Sequence, residues 1–249
     1  MARSDEGLIE GSFRFHYGAK TEDEPNWTLF VEKLKLAPRS FYSLIGPNMS
    51  GKTTLLRILS GQPIEEGCYE GAPLTGTLVR RGRSLLTLSD ATPKGAALIT
   101  HDDPMFPDLS LWDNVRLARP HGRGSFPGTA EQRFKIFLTN NPILNDRSLS
   151  TPLHDLSSGG KAFIRLARAF VWSAKLLLID EVTANLDSDN SEWVLRAILP
   201  FLADGSAVVL VSHTARDHDQ AKKFVREGNY AYSCLRLVVQ EKKTCLCGE

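Results

Sequence analysis

The sequence predicts an α/β fold: a parallel sheet with helices on both faces, interrupted by a helical insertion. Three observations carry this. The apolar run Phe41-Tyr42-Ser43-Leu44-Ile45 is followed by a glycine-containing turn and then by Thr54-Leu55-Leu56-Arg57-Ile58-Leu59, which has helical spacing. Strand and helix patterns alternate again from Lys175 onward. Between them, from about Asp103 to Val171, the periodicity is helical.

In chain order, Ser12-Phe13-Arg14-Phe15-His16-Tyr17 alternates as a half-buried strand does, and Gly18 to Asn26 is a polar loop. Trp27 to Leu36 reads as a second strand, with Leu34 and Leu36 on one face. After the helix that begins near Thr54, Gly61 to Gly76 is rich in Gly and Pro and is expected to be irregular. Ala96-Ala97-Leu98-Ile99-Thr100 is a short buried strand. Ser110 to Leu117 is helical, Pro120 to Gly128 is a loop, and Thr129-Ala130-Glu131-Gln132 has the capping-box spacing that starts a helix. Phe163, Leu166, Ala167, Phe170 and Val171 then recur at helical spacing. Strands are expected at Leu176–Ile179, Ala207–Val211 and Tyr230–Val239, with one helix through Glu192 to Leu202.

Composition narrows the function classes. A chain of 249 residues can bury a substantial core. Charged residues make up 24% but the net charge is only +1, so no global basic field exists and nucleic acid is not expected as a partner. The run Arg80-Arg81-Gly82-Arg83 reads as a solvated loop. Cys68, Cys234, Cys245 and Cys247 form no disulfide framework and the start carries no apolar leader, which favours a reducing cytoplasm. Cys245-Leu246-Cys247 could bind a metal with Cys234 or His218, but an ordinary reduced tail is the preferred reading, and no site is assigned there. No apolar run approaches the roughly 18 residues of a membrane span.

The chemistry concentrates in three places. Gly46-Pro47-Asn48-Met49-Ser50-Gly51-Lys52-Thr53-Thr54 fits G-x-x-x-x-G-K-[ST] between a strand and a helix. Glycines let backbone N–H groups approach phosphates, the helix N-terminus favours negative charge, Lys52 adds a mobile cation, and the Thr53 hydroxyl suits Mg2+. Leu176-Leu177-Leu178-Ile179 ends in Asp180 and Glu181, a metal-holding acid and a candidate base for activating water. Leu156-Ser157-Ser158-Gly159-Gly160 is a second anion-ready turn at a helix start, and it cannot easily serve the same nucleotide within one subunit.

Together these motifs resemble the nucleotide-binding subunit of an ABC transporter, over nearly the whole chain and in the family's order. The resemblance implies a P-loop NTPase (RecA-like) core of about residues 1–102 and 172–249. Its sheet would be mixed and parallel, with an N-terminal antiparallel β subdomain and an inserted α-helical subdomain of about 103–171, all in one ABC ATPase domain. It implies Walker A at Lys52, a signature loop at Ser157 to Gly160 and Walker B at Asp180 and Glu181. Ala184-Asn185-Leu186-Asp187 resembles the D-loop, and His213 occupies the switch-histidine position. Tyr17 is the first choice to stack on adenine, with Trp27 and Phe15 as alternatives.

The cofactors so implied are ATP and Mg2+. The implied partners are a second, identical or related ATPase subunit and a separately encoded transmembrane permease, on the inner face of the cell membrane. Residues His101 to Leu111 would form the docking surface. The chain departs from the family pattern at several positions. Met49 replaces a glycine, and Gly-Pro-Asn-Met is also similar to mismatch-repair ATPases. His101 stands where the family has a glutamine that contacts Mg2+, Ser158 and Gly160 replace Gly and Gln, and Val182 replaces a proline. A non-transport ABC-type ATPase that remodels DNA, ribosomes or a protein complex is the alternative reading, and a nucleotide-binding sensor or scaffold with little turnover is a third.

Overall fold

The computed structural model describes residues 8–18, 27–62, 64, 67–71, 74, 95–117, 130–139, 144, 147–241 and 243–248. The expected loops at Gly18–Asn26 and Pro120–Gly128, the run Arg80–Arg83, and the capping residue Thr129 lie wholly or almost wholly outside these residues.

Among the described residues nine strands form one sheet: β1 Ile9–Tyr17, β2 Trp27–Leu36, β3 Ser40–Ile45, β4 Gly67–Glu70, β5 Ala96–Thr100, β6 Leu176–Asp180, β7 Ala207–Val211, β8 Ala231–Gln240 and β9 Lys243–Gly248. Their order is β4-β1-β2-β9-β8-β3-β7-β6-β5. From β8 to β5 the neighbours are parallel, while β4, β1 and β2 pair antiparallel. The helices are α1 Lys52–Ser60, α2 Leu111–Leu117, α3 Ala130–Thr139, α4 Ser158–Val171, α5 Ser188–Arg196, α6 Leu199–Ala203 and α7 Ala215–Glu227, with a 3-10 turn at Leu153–Asp155. Among the described residues, no helix is long and apolar enough to cross a membrane.

Strand alternation splits the core between the two faces of the sheet. Leu177, Ile179, Val208 and Leu210 join the buried residues of α2, α3, α4, α5 and α7 on one side. Leu176, Leu178, Val209 and Val211 join α1, β1 and β2 on the other. Because both faces are covered, β6 and β7 are apolar almost without interruption. Each enclosed Leu or Val contributes about 1.5–3 kcal/mol, so the sheet forms a stiff platform for the loops at its carboxyl edge.

Several elements differ from expectation. The Gly/Pro-rich stretch contains β4, which pairs with β1 from Arg14↔Glu70 to Tyr17↔Gly67. Gly67 permits this approach, since a Cβ there would lie 2.5 Å from the His16 carbonyl oxygen. The single helix expected through Glu192–Leu202 is two helices, α5 and α6, and Pro200 sits in the first turn of α6, where a missing N–H does no harm. The tail is also a strand. β9 lies antiparallel to β8 and parallel to β2, joining the two halves of the sheet. The sequence reading assigned no element to α7, whose first turn is capped by the Thr214 hydroxyl accepting from the Asp217 N–H.

Candidate nucleotide site

β3 ends in a loop that turns sharply into α1. Gly46 has no room for a side chain, because a Cβ would meet the Ser50 hydroxyl at 2.8 Å and Leu237 Cβ at 2.9 Å. Gly51 caps α1 in the left-handed region with φ 87°. Met49 adopts φ 61° although it is not glycine, and its side chain is 96% exposed. Lys52 is buried at the start of α1, and its Nζ donates to the carbonyls of Gly46 at 2.9 Å and Pro47 at 2.8 Å. The ammonium thus spans the loop, and burial pulls its pKa down against the opposing charges of Glu181 and Asp180.

At the end of β6, Asp180 Oδ2 accepts from the Thr53 hydroxyl at 2.7 Å. Its other oxygen, Oδ1, is buried and has no partner among the described residues. Burial lifts the Asp180 pKa above the ordinary carboxylate value, with the Thr53 hydrogen bond opposing. An enclosed orphan carboxylate oxygen beside a hydroxyl is a donor set that suits a hard divalent cation such as Mg2+. Glu181 follows at φ 56°, a left-handed conformation costing about 1–3 kcal/mol in a non-glycine residue. Its N–H donates to the Val211 carbonyl, and its carbonyl accepts from the Ala184 N–H, both at 3.1 Å. That turn aims the carboxylate at His213, whose Nε2 lies 2.5 Å from Oε1.

Lys52, Thr53, Glu181 and His213 face one cavity of about 880 Å³, lined also by Tyr17, Trp27, Pro47, Asn48, Met49, Ser50, Gly51, Thr54 and Val239, while Asp180 sits behind its wall, bonded to Thr53. Tyr17 and Trp27 pack with ring centroids 4.9 Å apart. The indole edge also covers Gly51, where a Cβ would lie 3.0 Å from Trp27 Cη2. Val239, at the end of β8, was not singled out from the sequence, since its place beside the loop depends on sheet order alone.

Other expected site residues lie elsewhere. His101 is exposed in the turn after β5 and does not line the cavity. Nor do Ser157, Ser158, Gly159, Gly160 or Asp187. Ser157 caps α4, its hydroxyl accepting from the Gly160 N–H at 3.2 Å. Asp187 caps α5 and accepts from the Asn190 amide at 2.6 Å. Asn190, a residue sequence reasoning missed, packs against Gly159, where a Cβ would lie 2.5 Å from its Oδ1.

Residues 32–184 match the family model described as ABC transporter. The chain belongs to the ABC transporter family. This ABC chain is 29% identical over 175 residues to the arabinose import ATP-binding protein AraG of Escherichia coli O6:H1, covering 69% of the chain and 33% of the relative. AraG of Shigella sonnei gives the same figures. The chain therefore spans about a third of the length of these curated relatives. Its fold is that of a solved structure titled as the ATP binding subunit of an ABC transporter, with TM-score 0.65, 19% identity, and coverage of 95% of this chain and 88% of the other. A ribosome-bound archaeal Pelota and ABCE1 assembly contains a chain that also matches at TM-score 0.65, with 17% identity, covering 98% of this ABC chain and 35% of that one.

Proposed function

We propose that this chain binds ATP with Mg2+ in the cavity above α1 and hydrolyses it. In this reading the chain is one half of an ATP-clamped pair that drives a separate membrane permease. The observation that carries it is the convergence of Lys52, Thr53 and the Glu181–His213 pair on one cavity, with Asp180 hydrogen-bonded to Thr53 behind its wall. Gly46 to Thr54 cradle the phosphates with backbone N–H groups and the start of α1, and Lys52 exchanges its loop carbonyls for phosphate oxygens. Thr53 and Asp180 hold Mg2+, which when bound supplies positive charge to the phosphates. Glu181 takes the proton of the attacking water, and His213 orients that carboxylate and donates to the γ-phosphate. Tyr17 and Trp27 offer aromatic surface to the adenine.

Ser157 to Gly160 and Asp187 lie outside the cavity, and this supports their serving the nucleotide of a second copy. His101 then acts in coupling more than in holding the metal. Residues 101–111 carry the exposed side chains of Phe106 and Leu109, an apolar surface for the permease at the membrane's inner face. The import names of AraG relatives favour an importer. The deciding experiment uses Glu181→Gln with Mg·ATP. The variant is expected to bind ATP, sediment as a dimer and lose about 100-fold or more in turnover. Unchanged turnover, or a monomer under these conditions, defeats the proposal.

A further inference from the structure

We infer that Asp217, which lines no part of the cavity, is a positioning residue that holds Glu181 and His213 in register. The inference rests on the reading that those two side chains act on ATP. Asp217 lies in the first turn of α7 and is only 5% exposed. Its Oδ2 accepts from the Thr183 hydroxyl at 2.6 Å and from the Ser212 hydroxyl at 2.7 Å. Thr183 is two residues past Glu181, and Ser212 immediately precedes His213. One carboxylate oxygen thus ties the turn that aims the acid to the turn that presents the imidazole.

The grip on Ser212 is double. His218, the next residue of α7, places Nε2 at 3.1 Å from the Ser212 carbonyl. A carbonyl only accepts, so Nε2 carries the proton and Nδ1 accepts from the Ser43 hydroxyl at 3.0 Å. Ser43 in turn accepts from the Tyr232 hydroxyl at 3.0 Å. Ser43 belongs to β3, the strand that feeds the phosphate loop. The first turn of α7 therefore links the loop strand, the Glu181 turn and the His213 turn.

Capping α7 does not require this arrangement. The Thr214 hydroxyl already accepts from the Asp217 N–H, which leaves the carboxylate free for its two hydroxyl partners. The strained backbone of Glu181 needs such an anchor. With Val182 following it, no proline ring restricts that turn.

The test compares Mg·ATP hydrolysis, ATP affinity by calorimetry and thermal melting for the wild type, Asp217→Ala, Asp217→Asn and the double variant Thr183→Val/Ser212→Ala. Displacing a reacting group by about an ångström typically lowers turnover up to about 100-fold. Asp217→Ala is therefore expected to lose about 10- to 100-fold in kcat with ATP affinity within about twofold. Asp217→Asn keeps an amide oxygen that accepts from both hydroxyls and is expected to restore most of kcat. The double variant keeps the cap bond from the Asp217 N–H to the Thr214 hydroxyl while removing the Ser212 hydroxyl that the Thr214 N–H donates to; it decides the matter should Asp217→Ala fail to fold, and it is expected to lose kcat as well. A folded Asp217→Ala or a double variant within about threefold of wild-type kcat overturns the role of Asp217, as does failure of Asp217→Asn to rescue. A wild-type chain that hydrolyses no ATP overturns the reading of the site itself, and the role of Asp217 with it.

Discussion

Asp180→Asn removes a charge from the site while keeping its shape, and its consequences for stability and function are expected to oppose each other. Asp180 is 7% exposed, one of its oxygens is buried without a partner among the described residues, and burial raises its pKa. The folded chain therefore holds this proton more tightly than the unfolded chain does. The stabilisation this confers is complete below the unfolded pKa and is lost as pH rises through the folded one, so at neutral pH an enclosed ion strains the nucleotide-free protein. Asparagine carries no such charge, although its amide nitrogen replaces the orphan oxygen and stays unpaired. The net gain is roughly 1 kcal/mol, about 2–4 °C in Tm for a chain of this size.

Scanning calorimetry in a metal chelator, run from below the ordinary carboxylate range (about pH 3.5) up to about pH 8, should show the variant melting higher at neutral pH, with a gap that opens as pH rises from the ordinary aspartate value through the raised one. Saturating Mg·ATP should reverse the order. A ligand at about 100 times its Kd adds about 2.7 kcal/mol to the wild type, whereas the variant has lost the acid proposed to hold the metal. A wild type that melts at or above the variant in chelator at neutral pH, or a gap independent of pH, refutes the reasoning.

Gly159→Ala places a methyl group 2.5 Å from Asn190 Oδ1 and should cost about 1–3 kcal/mol, seen as a lower Tm. It should also weaken the proposed ATP-dependent dimer in sedimentation, because the displaced Asn190 holds Asp187. Trp27→Ala and Tyr17→Ala remove the two aromatic walls of the cavity in turn. Removal of the ring proposed to stack on adenine should weaken ATP binding by about 1–3 kcal/mol in a calorimetric titration and leave kcat nearly unchanged.

Much of this architecture is legible in the residues because its signals are local. The loop from Gly46 to Gly51 is a contiguous pattern between β3 and α1, and the ends of β6 and β7 announce themselves as apolar runs followed by Asp180-Glu181 and Ser212-His213. The break between α5 and α6 was also written locally, at Pro200. Other features depend on distant partners. β4 forms in an unpromising Gly/Pro stretch because β1 offers it an edge, and β9 forms because β2 and β8 leave a gap between them. Thr183, Ser212 and Asp217 are unremarkable in sequence, and only the packing of α7 against the ends of β6 and β7 brings a carboxylate between two hydroxyls.

The insertion of β9 between β2 and β8 has a consequence for biosynthesis. Thr28 pairs with Lys243, so β2 must wait for a segment made much later in translation. Until then the nascent chain carries two bare backbone edges, the kind of surface that recruits foreign strands. Contacts so far apart along the chain also close slowly. Production of this protein should therefore depend on whatever shields those edges during translation, more than on the strength of its finished core.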